Sequence, residues 1–165
     1  MTEALTALNA RYCAAFAADA PLVTWEGNPR AALMLVGEAP GAQEALMGRP
    51  FVGTAGKNLD AFLAGVSLDR EALYITNAVK FRPSKQGKTG RLSNRTPTRD
   101  EVLRYRPWLL EEIACVQPSV IATLGNTALF SVTGTALTIG AVHGAPIVRD
   151  GEIAVFPLYH PASVI

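Results

Sequence analysis

The chain has 165 residues, 49% of them hydrophobic and 18% charged, and a formal net charge of +1. That composition supplies the core of one domain, residues 1–165, and excludes a disordered chain or a polycation, so any nucleic-acid affinity must come from local basic clustering. Two distant cysteines, Cys13 and Cys115, exclude a disulfide framework and a zinc site, and a reducing cytoplasm is the expected compartment. The N-terminus lacks a basic stretch leading into an apolar core, and no apolar run approaches the ~18–20 residues of a membrane span. An unprocessed protein with no membrane association is expected.

Leu5, Leu8, Tyr12, Cys13 and Phe16 recur at helical spacing over residues 3–18. Ala31 to Val36 is an apolar run that reads as a buried strand. Thr54 is a candidate cap for a helix over 55–65, with Leu59, Phe62 and Leu63 inward. Ala72 to Val79 is the second strand. Residues 80–96 form a long polar segment without periodicity. Thr98 and Glu101 have the spacing of a capping box that opens a helix to about Val116. A third strand spans 119–124, Gly125 leads into a short helix, residues 134–148 read as irregular or short β, and the last strand is 153–158. Strands alternating with helices imply an α/β fold with a parallel sheet and helices on both faces.

Function is most legible at the strand ends. Glu38 follows the first strand on the turn Gly37-Glu38-Ala39-Pro40-Gly41, Asn77 ends the second, and His160 follows the last. In a parallel sheet these ends share one edge, where open α/β folds place ligands. Phe51 sits in a neighbouring glycine-bracketed loop, Gly48 to Gly53. An acid and an aromatic ring on adjacent loops suit a site that stacks on something flat and does chemistry beside it. Each residue has a plainer reading: a solvated loop acid, a turn-forming Asn, a loop His before Pro, a core Phe. Their joint placement is what points to a site.

Other chemistries fit less well. Gly53 to Asn58 lacks the glycine spacing and the hydroxyl of a phosphate loop, no strand leads into a dinucleotide-binding glycine pattern, and Ser131 and Ser163 lack a nucleophile elbow. Glu38 and Glu44 sit on one short loop, a poor arrangement for a glycosidase carboxylate pair. A small-molecule hydrolase using Glu38 stays open.

The segments GEAPGAQE, GRPFVGTAG, YITNAVKFRP, NRTP before PWL, TLG and FPLYHPA resemble, in this order, the uracil-DNA glycosylase superfamily, closest to the iron–sulfur branch called family 4. The likeness runs from about Trp25 to the C-terminus. It implies a three-layer α/β/α sandwich around a four-stranded parallel sheet and removal of uracil from single- or double-stranded DNA by a monomer. By the resemblance, Glu38 stands near the sugar, Phe51 stacks on the flipped uracil, Asn77 reads the base edge and His160 donates to uracil O2. Glu44 matches a further acidic position. Ala39 lies on the pocket floor, at a position that is often glycine. Val164 or Ile165 would wedge into the DNA stack, and the basic residue often found after the wedge is not present in the sequence.

The same resemblance implies a cluster held by four cysteines. Here Cys13 falls near the first position, and Phe16, Phe81 and Tyr105 fall near the other three. One thiolate cannot hold a cluster that needs four, so no metal and no cofactor is expected, and the three rings are expected to pack together in its place. Residues 80–106 carry Lys80, Arg82, Lys85, Lys88, Arg91, Arg95, Arg99, Arg104 and Arg106 against Asp100 and Glu101. This is either a solvated loop or a DNA flank, the second reading resting on Lys80, Arg82, Arg91 and Arg95. A related branch attaches covalently to uracil-DNA through a histidine near position 94. Asn94 is a poor nucleophile there, so turnover is expected. The alternative reading is a catalytically weak relative that binds deaminated bases without cleaving them.

Overall fold

The computed structural model describes residues 2–148 and 153–163. Strands β1 (Glu26–Gly27), β2 (Leu33–Gly37), β3 (Tyr74–Asn77), β6 (Val120–Leu124), β7 (Ile147–Val148) and β8 (Ala154–Leu158) form one sheet in the order β1-β3-β2-β6-β8-β7. The four central strands run parallel, as expected. Short antiparallel edge strands, β1 beside β3 and β7 beside β8, widen the sheet to six. Helices α1 (Thr2–Ala15), α2 (Ala42–Met47), α3 (Thr54–Gly65), α4 (Arg99–Val116), α5 (Asn126–Thr133) and α6 (Ile139–Val142) complete the fold, with a hairpin of β4 (Ser84–Gln86) and β5 (Leu92–Asn94) apart from the sheet.

Alternation along each strand divides the core into two layers. Met34, Val36, Tyr74, Ile121 and Val155 face α1, α4 and α5 through Leu5, Leu109, Ile113 and Leu129. Leu35, Ile75, Ala122 and Leu124 face the opposite way, onto Leu59 and Leu63 of α3 and onto Phe51. The outcome is a three-layer α/β/α sandwich. After β2 the chain moves to β3, then crosses back past β2 to β6. The sheet therefore changes direction between β2 and β6, which puts a crevice at their carboxyl ends.

Local expectations fared unevenly. The capping box is present: Glu101 N donates to Thr98 Oγ1 at 3.2 Å and Thr98 N donates to Glu101 Oε2 at 2.7 Å. Thr54 is not a cap. The helix begins one residue earlier than expected, so Thr54 is its first residue and Gly53 the cap, with the Gly53 amide donating to Glu44 Oε1. Phe62 is 45% exposed and Cys13 is also exposed, because each lies just off the buried stripe of its helix. The polar 80–96 segment holds a hairpin, and residues 139–142 a helical turn, where neither was expected.

Phe16, Phe81 and Tyr105 do pack together. Phe16 stacks on Tyr105 with centroids 4.0 Å apart and planes at 16°, and Phe81 lies 5.9 Å from Tyr105. Tyr12, Leu8 and Val102 close the group, which joins α1 to α4. Phe16→Ala is expected to cost about 3–5 kcal/mol. At ~2–4 °C per kcal/mol, thermal unfolding followed by circular dichroism should show Tm lower by roughly 6–20 °C. An unchanged Tm would mean that this cluster does not hold α1.

Candidate active site

The crevice is a cavity of about 410 Å³ at the carboxyl ends of the parallel strands. Glu38, Ala39, Glu44, Phe51, Asn77 and His160 all line it, Glu38 and Ala39 from the turn after β2, Glu44 from α2, Phe51 from the loop before α3, Asn77 from the end of β3 and His160 from beyond β8. The β2 and β3 turns are joined by backbone bonds from Ala78 N to Gly37 O (2.8 Å) and from Val79 N to Glu38 O (3.0 Å). Glu38 and Asn77 therefore share one rigid frame. Across the point where the sheet reverses, Thr127 Oγ1 on α5 donates to Glu38 Oε2 at 2.6 Å. This fixes one carboxylate oxygen.

Phe51 is 5% exposed and has a positive φ of 52°, a conformation that non-glycine residues adopt at a cost and that clusters at functional sites. The cost is met locally. Arg70 donates from Nη2 to Pro50 O (2.8 Å) and from Nη1 to Phe51 O (3.1 Å), while pairing with Asp60 and Glu26. A Cβ on Gly56 would meet Phe51 O at 1.9 Å, so α3 approaches the loop closely only because residue 56 is glycine. Glycine at 37 is required too: a Cβ there would lie 2.4 Å from both Asn77 Oδ1 and the Phe51 ring. The Phe51 and His160 rings are 6.0 Å apart at 28°.

Asn77 is 3% exposed, and among the described residues its side-chain amide has no hydrogen-bond partner. His160 Nδ1 accepts from Ala162 N at 3.1 Å. That bond places the imidazole proton on Nε2. Burial lowers the His160 pKa, with the Glu38 charge opposing, so the ring is neutral at neutral pH. Glu44 is a brace: its carboxylate accepts from Gly41 N (3.1 Å), Val52 N (3.0 Å) and Gly53 N (2.8 Å), tying the Glu38 turn to the Phe51 loop.

The basic segment is only partly free. Lys80 is 1% exposed and paired with Glu112 inside the protein, so it is no phosphate ligand, a correction to its expected role. Arg95 makes a bidentate pair with Glu101, both bonds 2.8 Å. Arg99 lies over Phe130 and Arg104 pairs with Asp19. Arg82 Nε donates to Asn94 Oδ1 at 2.7 Å. A guanidinium only donates, so Asn94 must turn its Oδ1 toward Arg82 and its NH2 away from it. Lys85, Lys88 and Arg91 remain exposed, all on the hairpin. Val164 and Ile165 lie outside the described residues.

Thr127 and Arg70 are the contributors missing from the expected site, and the close packing at Gly37 is the further constraint. Thr127 could have been found by the logic that picks Glu38, since it stands just beyond a strand end on the same sheet edge. The four-cysteine cluster does not fit this chain. The sequence has two cysteines, Cys13 is exposed, and among the described residues no three His, Cys, Asp or Glu side chains are grouped to hold a metal. No helix among them is long and apolar enough to cross a membrane.

Fold and site together define an α/β protein with an aromatic ring, an amide, an imidazole and two carboxylates around one cavity at the carboxyl ends of its parallel strands. Residues 24–165 match the Uracil DNA glycosylase superfamily, and the chain belongs to that family. It is 40% identical over 151 residues to a type-4 uracil-DNA glycosylase of Sulfurisphaera tokodaii, covering 87% of this chain and 65% of the relative. It is 39% identical to that of Saccharolobus solfataricus (87% and 66%) and 41% identical to that of Thermotoga maritima (87% and 71%). The chain thus spans about two thirds of the length of these relatives.

Proposed function

We propose that this protein is a DNA repair glycosylase that takes uracil, flipped out of single- or double-stranded DNA, into the cavity and hydrolyses its N-glycosidic bond. A single observation carries the reading: a stacking ring, an unpartnered Asn amide, a neutral imidazole with its proton on Nε2 and a carboxylate all line one cavity. An enzyme acting on a base bond takes the nucleotide out of the stack. Phe51 offers its face to the pyrimidine. Asn77 Oδ1 accepts from uracil N3–H and Nδ2 donates to O4. Cytosine reverses that pattern, a mismatch that costs about 1–3 kcal/mol.

As the C1′–N1 bond breaks, its electron pair stays with the base and the sugar becomes cationic. His160 Nε2–H donates to uracil O2 where the negative charge grows, and the Glu38 carboxylate faces the positive sugar. Donors fixed in place beforehand stabilise such charge without reorganisation. Water then adds to C1′ and gives a proton to the Glu38 carboxylate, the released uracil anion takes up one proton in turn, and an abasic site and free uracil remain. Every step is carried by the chain's own residues as a monomer, with no metal or cofactor, and the three-ring cluster ties α1 to α4 in place of metal cross-links.

DNA contact rests on Lys85, Lys88 and Arg91 of the hairpin, with Arg95 lining the cavity, Arg82 bonded to Asn94 beside it, and Val164 or Ile165 as the wedge. With about three free cations, log affinity for single-stranded DNA should fall with log salt at a slope of about −2, each phosphate contributing ~0.7. Arg91→Ala should flatten the slope by ~0.7, read by fluorescence anisotropy, and a slope that is the same in the variant would remove Arg91 from the interface. The function itself is tested by excision from an oligonucleotide carrying one uracil, with a thymine control. Uracil-dependent abasic sites support it. Salt-sensitive binding without excision would leave a protein that recognises deaminated bases only.

A further inference from the structure

Lys80 takes no part in the chemistry above, yet it is sealed in the core. Its Nζ donates to Thr76 Oγ1, to Asn77 O at 2.8 Å and to Glu112 Oε2 at 2.7 Å. An ammonium has three protons to donate, and all three are used. Glu112 is 0% exposed. Its Oε1 accepts from Tyr74 OH at 2.6 Å, and its Oε2 also from Tyr12 OH at 3.3 Å.

A buried ion pair of this kind is not needed for stability, since apolar groups of similar volume often do as well. What an apolar residue could not do is hold the Asn77 carbonyl. The peptide after Asn77 is pinned at both ends, its C=O by Lys80 Nζ and its N–H by Gly37 O at 2.8 Å. The Asn77 side chain has no partner of its own among the described residues, so its direction is inherited from this peptide. Glu112, on α4, ties the peptide in turn to the helix layer.

We propose that the Lys80–Glu112 pair is a positioning device for Asn77, fixing the angle at which its amide meets the base. The proposal rests on the reading of the cavity as a uracil site. Its test is the double variant Lys80→Met/Glu112→Gln, which removes the charges together and leaves no unpaired ion. The folded variant, checked by circular dichroism, should lose about 10²-fold in kcat/KM for uracil excision, the scale of a 1 Å misplacement.

A general loosening of the fold would add to every active-site mutation, whereas positioning through Asn77 would not. Combined with Asn77→Ala, the Lys80/Glu112 change should therefore cost nothing further. Combined with Phe51→Ala, the two losses should multiply. Tyr74→Phe removes one bond to Glu112 without opening a cavity. It should lower kcat/KM severalfold in the wild type and leave it unchanged in Asn77→Ala, so the test stands even where the double variant does not fold. Wild-type kcat/KM in both variants, or losses that multiply with Asn77→Ala, would overturn the inference alone. Absence of uracil excision by the wild type would overturn it together with the functional reading.

Discussion

Glu38→Gln should lower kcat for uracil release by about 10²–10⁴-fold, the range for losing a positioned carboxylate in proton transfer, with little change in KM. The substitution is close to isosteric. The glutamine oxygen can still accept from Thr127 Oγ1, now 2.6 Å from Glu38 Oε2, and the backbone bond from Val79 N to residue 38 is untouched. The turn should therefore hold its shape, and what is lost is the base that takes the proton from water, together with the charge facing the sugar. Single-turnover excision on a uracil oligonucleotide measures this directly. A rate within a few-fold of wild type would take Glu38 out of the chemistry and leave it a structural link between β2 and α5. Thr127→Val is the companion test, since it frees the carboxylate but keeps its charge, and it should cost less than Glu38→Gln.

His160→Ala should cost about 10²–10³-fold in kcat, the usual loss when one donor to a developing anion is removed. Asn77 would still bind the base, so KM should move less. The imidazole also predicts a pH dependence. Burial lowers its pKa, and the bond from Ala162 N occupies Nδ1, so the neutral ring persists below the ordinary imidazole value of about 6.5. Excision should not decline as pH falls through 6.5, but only further into acid. Stability follows the same sign. Between 6.5 and the lower folded-state value the unfolded chain binds the proton and the folded one does not, so the folded state weakens as pH falls through that window. His160→Ala should remove this acid sensitivity from the melting curve.

Strand-end residues were the legible part of this chain. The apolar runs before Glu38, Asn77 and His160 mark buried parallel strands, and parallel strands end on one edge, so three distant residues could be placed beside one crevice without a structure. Their supports were not legible. Arg70 holds the Phe51 loop from 19 residues away, and Thr127 meets Glu38 across 89. Neither pairing leaves a local pattern.

Lys80 was misplaced for an instructive reason. It opens a run of basic residues and looks like the first of them, yet it directly follows Asn77-Ala78-Val79 and turns inward to the end of its own strand. Arg95, Arg99 and Arg104 also find partners within the fold, so counting charges overstated the basic surface. The hairpin was missed because Ser84–Gln86 and Leu92–Asn94 are short, largely exposed strands. Without a buried face they show no apolar alternation.

The central claim is that this cavity removes uracil from DNA through its own side chains. The most direct measurement is single-turnover excision from an end-labelled oligonucleotide with one uracil, single-stranded and opposite guanine, with wild type and His160→Ala side by side and alkali to cleave abasic sites. The account predicts strand cleavage that requires uracil, is absent from the thymine control and falls about 10²–10³-fold in the variant. Equal cleavage by both proteins, or none by the wild type on either substrate, would contradict it.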